Sequence, residues 1–210
     1  MLLKDLLSDV PGVLETRGDA EIQALVTDSR EKARNGLFFC ISGMRFDAHD
    51  FAAQAVENGC VALVVEHFVD SPVAQVRVDN VRRATAYIAA AFYGHPARKL
   101  RMVGVCGTKG KTTTTYLMKA ILEKAGFKTG LIGTTGNLIG DRSLPSNMTT
   151  PDPVDLHRCL RQMVDEGVEA VSMEVSAHAV DMHRVDGITF EAACYTNFSQ
   201  DHLDYFGSMQ

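Results

Sequence analysis

The strand-to-helix turn at residues 104–115 constrains the fold more than any other part of the sequence. A largely apolar run over 100–105 leads into Gly107-Thr108-Lys109-Gly110-Lys111-Thr112, and apolar residues at helical spacing follow over 116–125. The glycines let the backbone approach an anion, which successive N–H groups and the start of the helix then face. Lys111 adds a positive charge, and Thr112 offers a hydroxyl to magnesium. The segment predicts a phosphate-binding loop for a nucleoside triphosphate.

One position departs from the strict phosphate-loop pattern. Val105 stands where the first glycine is required, and Gly104 lies one residue too early. A glycine-rich turn with a chance lysine is the alternative explanation. The strand before the turn, the helix after it and the Gly-Lys-Thr triplet favour the phosphate loop.

Charge and cysteine content exclude several classes of protein. A net charge of −5 argues against sequence-independent nucleic-acid binding, which needs a basic face. The five cysteines are odd in number, widely spaced and without a CxxC pair, which predicts reduced thiols in the cytosol. No apolar run approaches a membrane span, and the N-terminus is too charged for a signal peptide. We expect a cytoplasmic protein without nucleic-acid partner or membrane span.

The chain divides into two segments near the glycine- and proline-containing stretch 94–99. Residues 1–95 predict a small α/β domain with strands at 37–41, 61–65 and 74–78 and helices at 50–58 and 81–92. Residues 96–210 predict strands at 102–105, 129–132, 170–174 and 192–196, with helices at 113–125 and 154–166. This alternation is typical of a mostly parallel, doubly wound sheet, which binds ligands at the carboxyl ends of its strands.

Polar residues follow the predicted strands of the second segment. The stretch 133–152 is rich in glycine and hydroxyl groups and is predicted to be a long loop that is either functional or disordered. Glu174 ends a buried strand, where it is placed either to hold magnesium or to be a solvated strand terminus. His202, between Asp201 and Asp204, is either a metal ligand or structural. Arg184 suits a phosphate or carboxylate partner, or is an exposed loop arginine.

Five motifs follow one another at residues 107–112, 149–151, 174–178, 183–185 and 196–205. Their order and spacing resemble those of the Mur ligases, ATP-dependent enzymes that build the peptide stem of bacterial cell-wall precursors. In the first segment, residues 27–30, 36–39 and 43–49 resemble the UDP-binding domain of this family. The resemblance covers essentially the whole chain, and the family's Gly-Thr-x-Gly-Lys-Thr loop accounts for the missing first glycine.

The resemblance implies a small N-terminal α/β UDP-binding domain followed by a central ATPase domain. It implies amide-bond formation with ATP cleaved to ADP and phosphate, and therefore ATP and Mg²⁺ as cofactors. The implied partners are UDP-N-acetylmuramoyl-L-alanyl-D-glutamate and a diamino acid, either L-lysine or meso-diaminopimelate. The D-glutamate carboxylate would take the γ-phosphoryl group, and the amine of the diamino acid would attack the resulting acyl phosphate.

The resemblance also implies roles for individual residues, by motif position. Catalytic roles fall on Lys111, Glu174 and His202, and magnesium contacts on Thr112, Glu174 and His202. ATP contacts fall on Gly107, Thr108, Lys109, Gly110, Lys111, Thr112, Thr113 and Asn137. Uridine-nucleotide contacts fall on Thr27, Ser29, Met44, Arg45 and Phe46, and muramoyl-dipeptide contacts on Thr149, Thr150, Ser176 and Arg184. Ala177 and Gln200 depart from the usual family residues, at positions without an implied catalytic role.

Length is the largest departure from the family pattern. Complete members continue to a carbamylated lysine and to a third domain that binds the amino acid, whereas this sequence stops at Gln210. We expect a shortened chain that keeps the nucleotide-sugar and ATP phosphate contacts but does not finish catalysis alone. A complete member is expected to be monomeric, while uncovered strand edges predict association here.

Two alternative functions remain open at this point. Another ligase of the same superfamily, for cyanophycin or folylpolyglutamate synthesis, is one, although those relatives lack this form of the uridine-binding pattern. A non-catalytic module that senses a UDP-sugar or ATP is the other. Amino-acid-dependent phosphate release would separate an intact ligase from a binding module.

Overall fold

The computed structural model describes residues 1–43, 46–144 and 148–208. These residues fall into two compact units, Met1–Gly94 and His95–Gln210. Each unit is built on its own sheet, so the two are described separately.

The first unit contains a five-stranded sheet with the order β1-β5-β4-β3-β2. Its strands are β1 (Val13–Arg17), β2 (Ala24–Val26), β3 (Gly36–Phe39), β4 (Cys60–Val65) and β5 (Ala74–Val78). β2 to β5 pair in parallel, and only β1 runs antiparallel, against β5. The helices are α1 (Leu3–Leu6), α2 (Ala52–Glu57) and α3 (Val81–Phe92), and a 3-10 turn at Ala48–Phe51 leads into α2.

Helix α3 and strand β3 show why this sequence forms these elements. The side chain of Asn80 accepts a hydrogen bond from the Arg83 N–H, which satisfies one of the free donors at the start of α3. β3 is buried along its whole length, with Phe38 and Phe39 at most 1% exposed. Such a continuous apolar run is typical of a parallel strand covered on both faces.

The second unit contains a six-stranded sheet with the order β11-β6-β10-β7-β8-β9. Its strands are β6 (Arg101–Cys106), β7 (Thr129–Gly133), β8 (Gly136–Ile139), β9 (Arg142–Leu144), β10 (Ala170–Glu174) and β11 (Ala192–Tyr195). The helices are α4 (Lys111–Lys124), α5 (Pro153–Asp165), α6 (Ala177–Asp181) and α7 (Leu203–Phe206), with a 3-10 turn at Pro96–Lys99. β11, β6, β10 and β7 are parallel, whereas β8 and β9 are antiparallel.

The predicted α/β class with mostly parallel sheets is confirmed, but the prediction of one long loop over 133–152 is wrong. β8 and β9 lie within that stretch. A tight turn through Thr134 and Thr135 joins β7 to β8, and Gly136 supports it with a φ of 117° that a side chain would strain. The two short strands lack the strict alternation of apolar and polar residues that predicts a strand from the sequence.

Parallel pairing brings three strand ends to one edge of the second sheet. Glu174 at the end of β10 pairs with Val105 of β6, and Met173 pairs with Ile132 of β7. The loops after these strands therefore meet, as parallel α/β sheets require. Within the described residues, no helix is both long enough and apolar enough to cross a membrane.

Candidate functional site

The loop between β6 and α4 closes around its own lysine. Gly107 has a φ of 125°, and a Cβ there would lie 2.2 Å from the Thr196 Oγ1, so only glycine fits. Gly110, with a φ of 84°, turns the chain into α4. The Lys111 Nζ donates to the carbonyl oxygens of Gly107 (2.7 Å) and Thr108 (3.1 Å). A positive charge is thus held against the loop at the start of a helix.

Residues that follow β11 hold this loop in place. The Thr196 Oγ1 and the Asn197 Nδ2 both donate to the Lys109 carbonyl, at 2.7 and 2.9 Å. The Lys109 N–H donates back to the Asn197 Oδ1 at 3.0 Å, and the Thr108 Oγ1 donates to the Ser199 carbonyl at 3.1 Å. The loop is therefore preorganised before any anion arrives.

Glu174 lies at the centre of the strand-end cluster and is only 1% exposed. Its Oε2 accepts from the Thr112 Oγ1 (3.1 Å) and the Thr134 Oγ1 (3.2 Å), and its Oε1 accepts from the Thr134 N–H (2.9 Å). Within the described part of the chain, no lysine, arginine or histidine forms an ion pair with it. Burial of a carboxylate without a cationic partner costs free energy, so a cation bound here would stabilise this carboxylate.

The donor set suits magnesium. Because the Thr112 hydroxyl donates to Glu174, its lone pairs remain free for a metal ion. Mg²⁺ prefers oxygen ligands and usually takes one or two protein ligands together with phosphates and water. Residues 1–43, 46–144 and 148–208 hold no cluster of three or more His, Cys, Asp or Glu that could bind a metal alone. The site therefore fits a metal that arrives with a phosphate ligand.

A cavity of about 520 Å³ adjoins the loop. Its polar wall includes Lys111, Ser176 and His202, and its apolar wall includes Tyr195 and Phe198. His202 is half exposed, and its ring lies 4.5 Å from that of His178. The volume suits a small-molecule ligand. The structure thus brings the predicted residues Lys111 and His202 to one cavity.

The predicted dipeptide-binding residues form one hydrogen-bonded group beside Glu174. The Thr150 Oγ1 donates to the Glu174 carbonyl at 2.9 Å and accepts from the Ser176 N–H at 3.1 Å. The Arg184 Nη1 donates to the Thr150 carbonyl at 2.9 Å, and its Nε lies 2.9 Å from the Asp152 Oδ1. Arg184 is thereby aimed by two partners, although its role toward a ligand stays a prediction.

Asn137 and Thr113 are not brought into this group. Asn137 is 4% exposed on β8, and within the described residues its Oδ1 has no hydrogen-bond partner. It does not line the cavity beside Lys111. Thr113 lies exposed on α4. Their proposed contacts with ATP therefore remain predictions.

The predicted uridine contacts lie in the first unit. The Ser29 Oγ donates to the Gln54 Oε1 at 2.7 Å, and its carbonyl accepts from the Asn58 Nδ2 at 2.8 Å. Arg30 donates two side-chain hydrogen bonds to Asp28 and lowers the pKa of that carboxyl to about 2. Thr27 is exposed. Phe46 is 72% exposed, which leaves its ring free for a ligand, while the predicted contacts Met44 and Arg45 lie outside the described residues.

The comparison with known families adds to this geometry. The sequence model of the Mur ligase middle domain matches residues 105–210, which contain the loop, Glu174 and the cavity. The chain belongs to the Mur ligase family. The predicted family membership is therefore confirmed.

This Mur ligase chain is similar to curated relatives over its whole length. It is 51% identical to the UDP-N-acetylmuramoyl-L-alanyl-D-glutamate–2,6-diaminopimelate ligase of Geobacillus thermodenitrificans, covering 100% of this chain and 43% of the relative. It is 44% identical to the enzyme of the same name from Geobacter sulfurreducens, covering 100% of this chain and 42% of the relative. The chain thus spans less than half the length of these relatives.

Solved structures of Mur ligases resemble both units. A UDP-N-acetylmuramoyl-L-alanyl-D-glutamate–2,6-diaminopimelate ligase superimposes with a TM-score of 0.76 and 27% identity, over 90% of this chain and 38% of that one. MurF ligase from Thermotoga maritima in complex with ADP gives a TM-score of 0.59 and 26% identity, over 89% of this chain and 40% of that one.

Sequence reasoning missed Gly133 and Thr134 as parts of the site of this Mur ligase. A Cβ on Gly133 would lie 2.3 Å from the Glu174 Oε1, and Thr134 donates twice to the same carboxylate. The signal was present, because a Gly-Thr pair directly follows a buried strand at the carboxyl edge of the sheet. Asp152, the partner of Arg184, was also missed, since the contact depends on tertiary structure.

Proposed function

We propose that this chain is the nucleotide-sugar-binding and ATP-phosphate-binding part of a ligase that adds a diamino acid to UDP-N-acetylmuramoyl-L-alanyl-D-glutamate. ATP is cleaved to ADP and phosphate in the reaction. The single observation that supports this most strongly is the contact between Thr112 of the phosphate loop and the buried Glu174 carboxylate. It joins the loop that we assign to phosphate binding to the oxygen atoms that we assign to a cation, as phosphoryl transfer requires.

The loop supplies binding and orientation for the phosphates. The N–H groups of Thr108 and Lys109 donate to Asn197, so the anion would face the N–H groups at the start of α4, with Lys111 supplying one positive charge beside them. The hydrogen bonds from Thr196 and Asn197 fix the loop, so little reorganisation is needed when charge moves from ATP to the acceptor.

Thr112 and Glu174 would hold Mg²⁺ through a hydroxyl and a carboxylate oxygen. When bound, Mg²⁺ supplies charge neutralisation between the polyanionic nucleotide and the substrate carboxylate. Without that neutralisation, a carboxylate would not approach the γ-phosphate. His202, on the wall of the neighbouring cavity, is the candidate for a further contact.

The muramoyl dipeptide would lie against Thr149, Thr150, Ser176 and Arg184. Arg184 is the natural partner for a substrate carboxylate, because its fork can donate two parallel hydrogen bonds. Its present partners, the Thr150 carbonyl and Asp152, hold the side chain so that its guanidinium is only partly exposed. The uridine nucleotide would bind the first unit at Thr27, Ser29 and the turn containing Phe46.

We propose meso-diaminopimelate rather than L-lysine as the added diamino acid. The names of relatives that are 51% and 44% identical over the whole chain support this choice. The same relatives favour the cell-wall ligase over the cyanophycin and folylpolyglutamate alternatives. We also propose that the chain acts in the cytoplasm.

Calorimetry with UDP-N-acetylmuramoyl-L-alanyl-D-glutamate tests the proposal. Ser29→Ala should weaken precursor binding, because it removes a hydroxyl that we assign to the uridine site. Lys111→Ala should leave precursor binding intact and weaken ATP binding in the presence of Mg²⁺. Ser8→Ala and Lys124→Ala are matched controls, since both side chains are exposed and lie outside the proposed sites.

Either of two results would contradict this assignment. If a folded sample did not bind the precursor, this substrate assignment would be wrong, and the chain would be a phosphate-loop protein with another substrate. Equal losses of precursor affinity in Ser29→Ala and Ser8→Ala would contradict the assignment of Ser29 to the uridine site. Amino-acid-dependent phosphate release is a separate measurement, to be made on a chain of the length of the relatives.

A further inference from the structure

The turn between β7 and β8 contacts the Glu174 carboxylate at both oxygens. The Thr134 N–H donates to Oε1 at 2.9 Å, and the Thr134 Oγ1 donates to Oε2 at 3.2 Å. Among the described residues, the remaining hydrogen bond to this carboxylate comes from Thr112 at 3.1 Å. Thr134 therefore provides two of the three hydrogen bonds found there. Hydrogen bonds from a neutral donor leave the negative charge in place for a cation.

Gly133 provides the space that this arrangement needs. The Glu174 Oε1 would lie 2.3 Å from a Cβ at position 133, and the carboxyl carbon would lie 3.0 Å from it. Any larger residue would collide with the carboxylate and force it to shift. Glycine here serves close approach rather than unusual backbone geometry, because Gly133 is a regular member of β7.

Thr134 also connects Glu174 to the proposed substrate side. Its Oγ1 lies 2.9 Å from the Thr149 Oγ1. A carboxylate only accepts hydrogen bonds, so the Thr134 hydroxyl donates its hydrogen to Glu174 and accepts one from the Thr149 hydroxyl. The three side chains form a directed chain from Thr149 through Thr134 to Glu174.

Thr135, the second threonine of the turn, faces α4 instead. The Thr135 Oγ1 lies 2.9 Å from the Tyr116 hydroxyl, one turn of α4 beyond Thr112. Within the described part of the chain, Thr135 forms no hydrogen bond with the Glu174 carboxylate, although it is the immediate neighbour of Thr134 and has the same side chain. This pair of threonines offers a matched comparison within one turn.

We propose that Gly133 and Thr134 position the Glu174 carboxylate for Mg²⁺, and that Thr134 couples this metal site to the substrate side through Thr149. Thr134 is thus a positioning residue that does not itself bind the metal. The inference deepens the proposed function and rests on its assignment of Mg²⁺ to Thr112 and Glu174. Groups that orient a metal ligand typically change metal affinity by about 10- to 100-fold when they are removed.

The test measures ADP affinity by calorimetry, once with saturating Mg²⁺ and once with EDTA. The ratio of the two affinities reports how strongly Mg²⁺ supports nucleotide binding. Thr134→Val keeps the shape and the backbone N–H but removes the hydroxyl, and should reduce this ratio about tenfold. Its affinity with EDTA should stay unchanged, because Lys111 and the loop N–H groups are intact. Thr134→Ser should restore the ratio, and the Thr135→Val control should leave it at the wild-type value.

Gly133→Ala is a second variant, which displaces the Glu174 carboxylate instead of deleting one of its hydrogen bonds. It should also lower the ratio, and the melting temperature of each variant identifies any sample that does not fold. A wild-type ratio near one would overturn the magnesium assignment in the proposed function, and this inference with it. A high wild-type ratio that Thr134→Val and Gly133→Ala both retain would overturn this inference alone. Equal losses with Mg²⁺ and with EDTA would also overturn it, since they would indicate a purely structural role.

Discussion

His157 gives the sharpest prediction about stability. It lies on α5 and is 1% exposed, and neither ring nitrogen has a hydrogen-bond partner within the described residues. Burial, with a smaller contribution from the charge of His95, lowers the pKa of His157 from 6.5 to about 4. The native state therefore holds a neutral imidazole at pH values where the unfolded chain binds a proton.

The sign and size of the effect follow from this difference. Below the unfolded pKa of about 6.5, protonation favours the unfolded chain until the native group also titrates near pH 4. The contribution of His157 to stability is thus complete above about pH 7 and is lost as the pH falls toward 4. Between about pH 7.5 and 4.5 the loss amounts to about 2.5 kcal/mol of the free energy of unfolding.

Urea unfolding of wild type and His157→Leu at these two pH values measures the loss. The chain contains no tryptophan, so far-UV circular dichroism is the suitable signal. Groups that do not interact with His157 contribute equally to both proteins, and the wild type should lose about 2.5 kcal/mol more than the variant. An equal loss in both proteins would refute the reasoning, as would an NMR titration that shows His157 protonated in the folded protein at about pH 6.

Three further predictions concern the loop, a helix cap and a thiol. Gly107→Ala should lower ADP affinity about tenfold or more in calorimetry, because its Cβ would collide with the Thr196 hydroxyl at a φ of 125°; unchanged affinity would contradict the close approach. Asn80→Ala should lower the free energy of unfolding by about 1 kcal/mol, whereas Asn80→Ser should retain most of it; equal losses would argue against the cap. Burial raises the pKa of the Cys40 thiol to about 12, so iodoacetamide should modify Cys40 only after unfolding; peptide mass spectrometry detects the modification, and rapid labelling of the folded chain would contradict the burial.

Much of the fold could be predicted because the pattern was local. α3 occupies the predicted residues Val81–Phe92, and β10 occupies Ala170–Glu174, since helical spacing and an uninterrupted apolar run identify them. β8 and β9 could not be predicted in the same way. They are three or four residues long, β8 pairs with β7 and β9 with β8, and neither strand shows the apolar–polar alternation that identifies a strand in a sequence.

The site was predicted best where one short segment carries the chemistry. The glycine, lysine and threonine residues of the loop predict a phosphate site even when the rest of the fold is unknown. The partners of Glu174 come instead from the ends of other elements, Thr112 from α4 and Thr134 from the β7–β8 turn. Which hydroxyl meets a carboxylate depends on strand order and register, and a single sequence contains no direct signal for either.

The central claim is that Thr112 and Glu174 hold a metal ion beside the nucleotide phosphates of the loop. The most direct test is a crystal structure of this chain with a non-hydrolysable ATP analogue and Mn²⁺, which replaces Mg²⁺ and gives an anomalous signal. We predict phosphate density against the N–H groups of residues 110–112 and an anomalous peak in contact with the Thr112 Oγ1 and the Glu174 carboxylate. Nucleotide bound elsewhere, or bound at the loop with the metal away from Glu174, would contradict it.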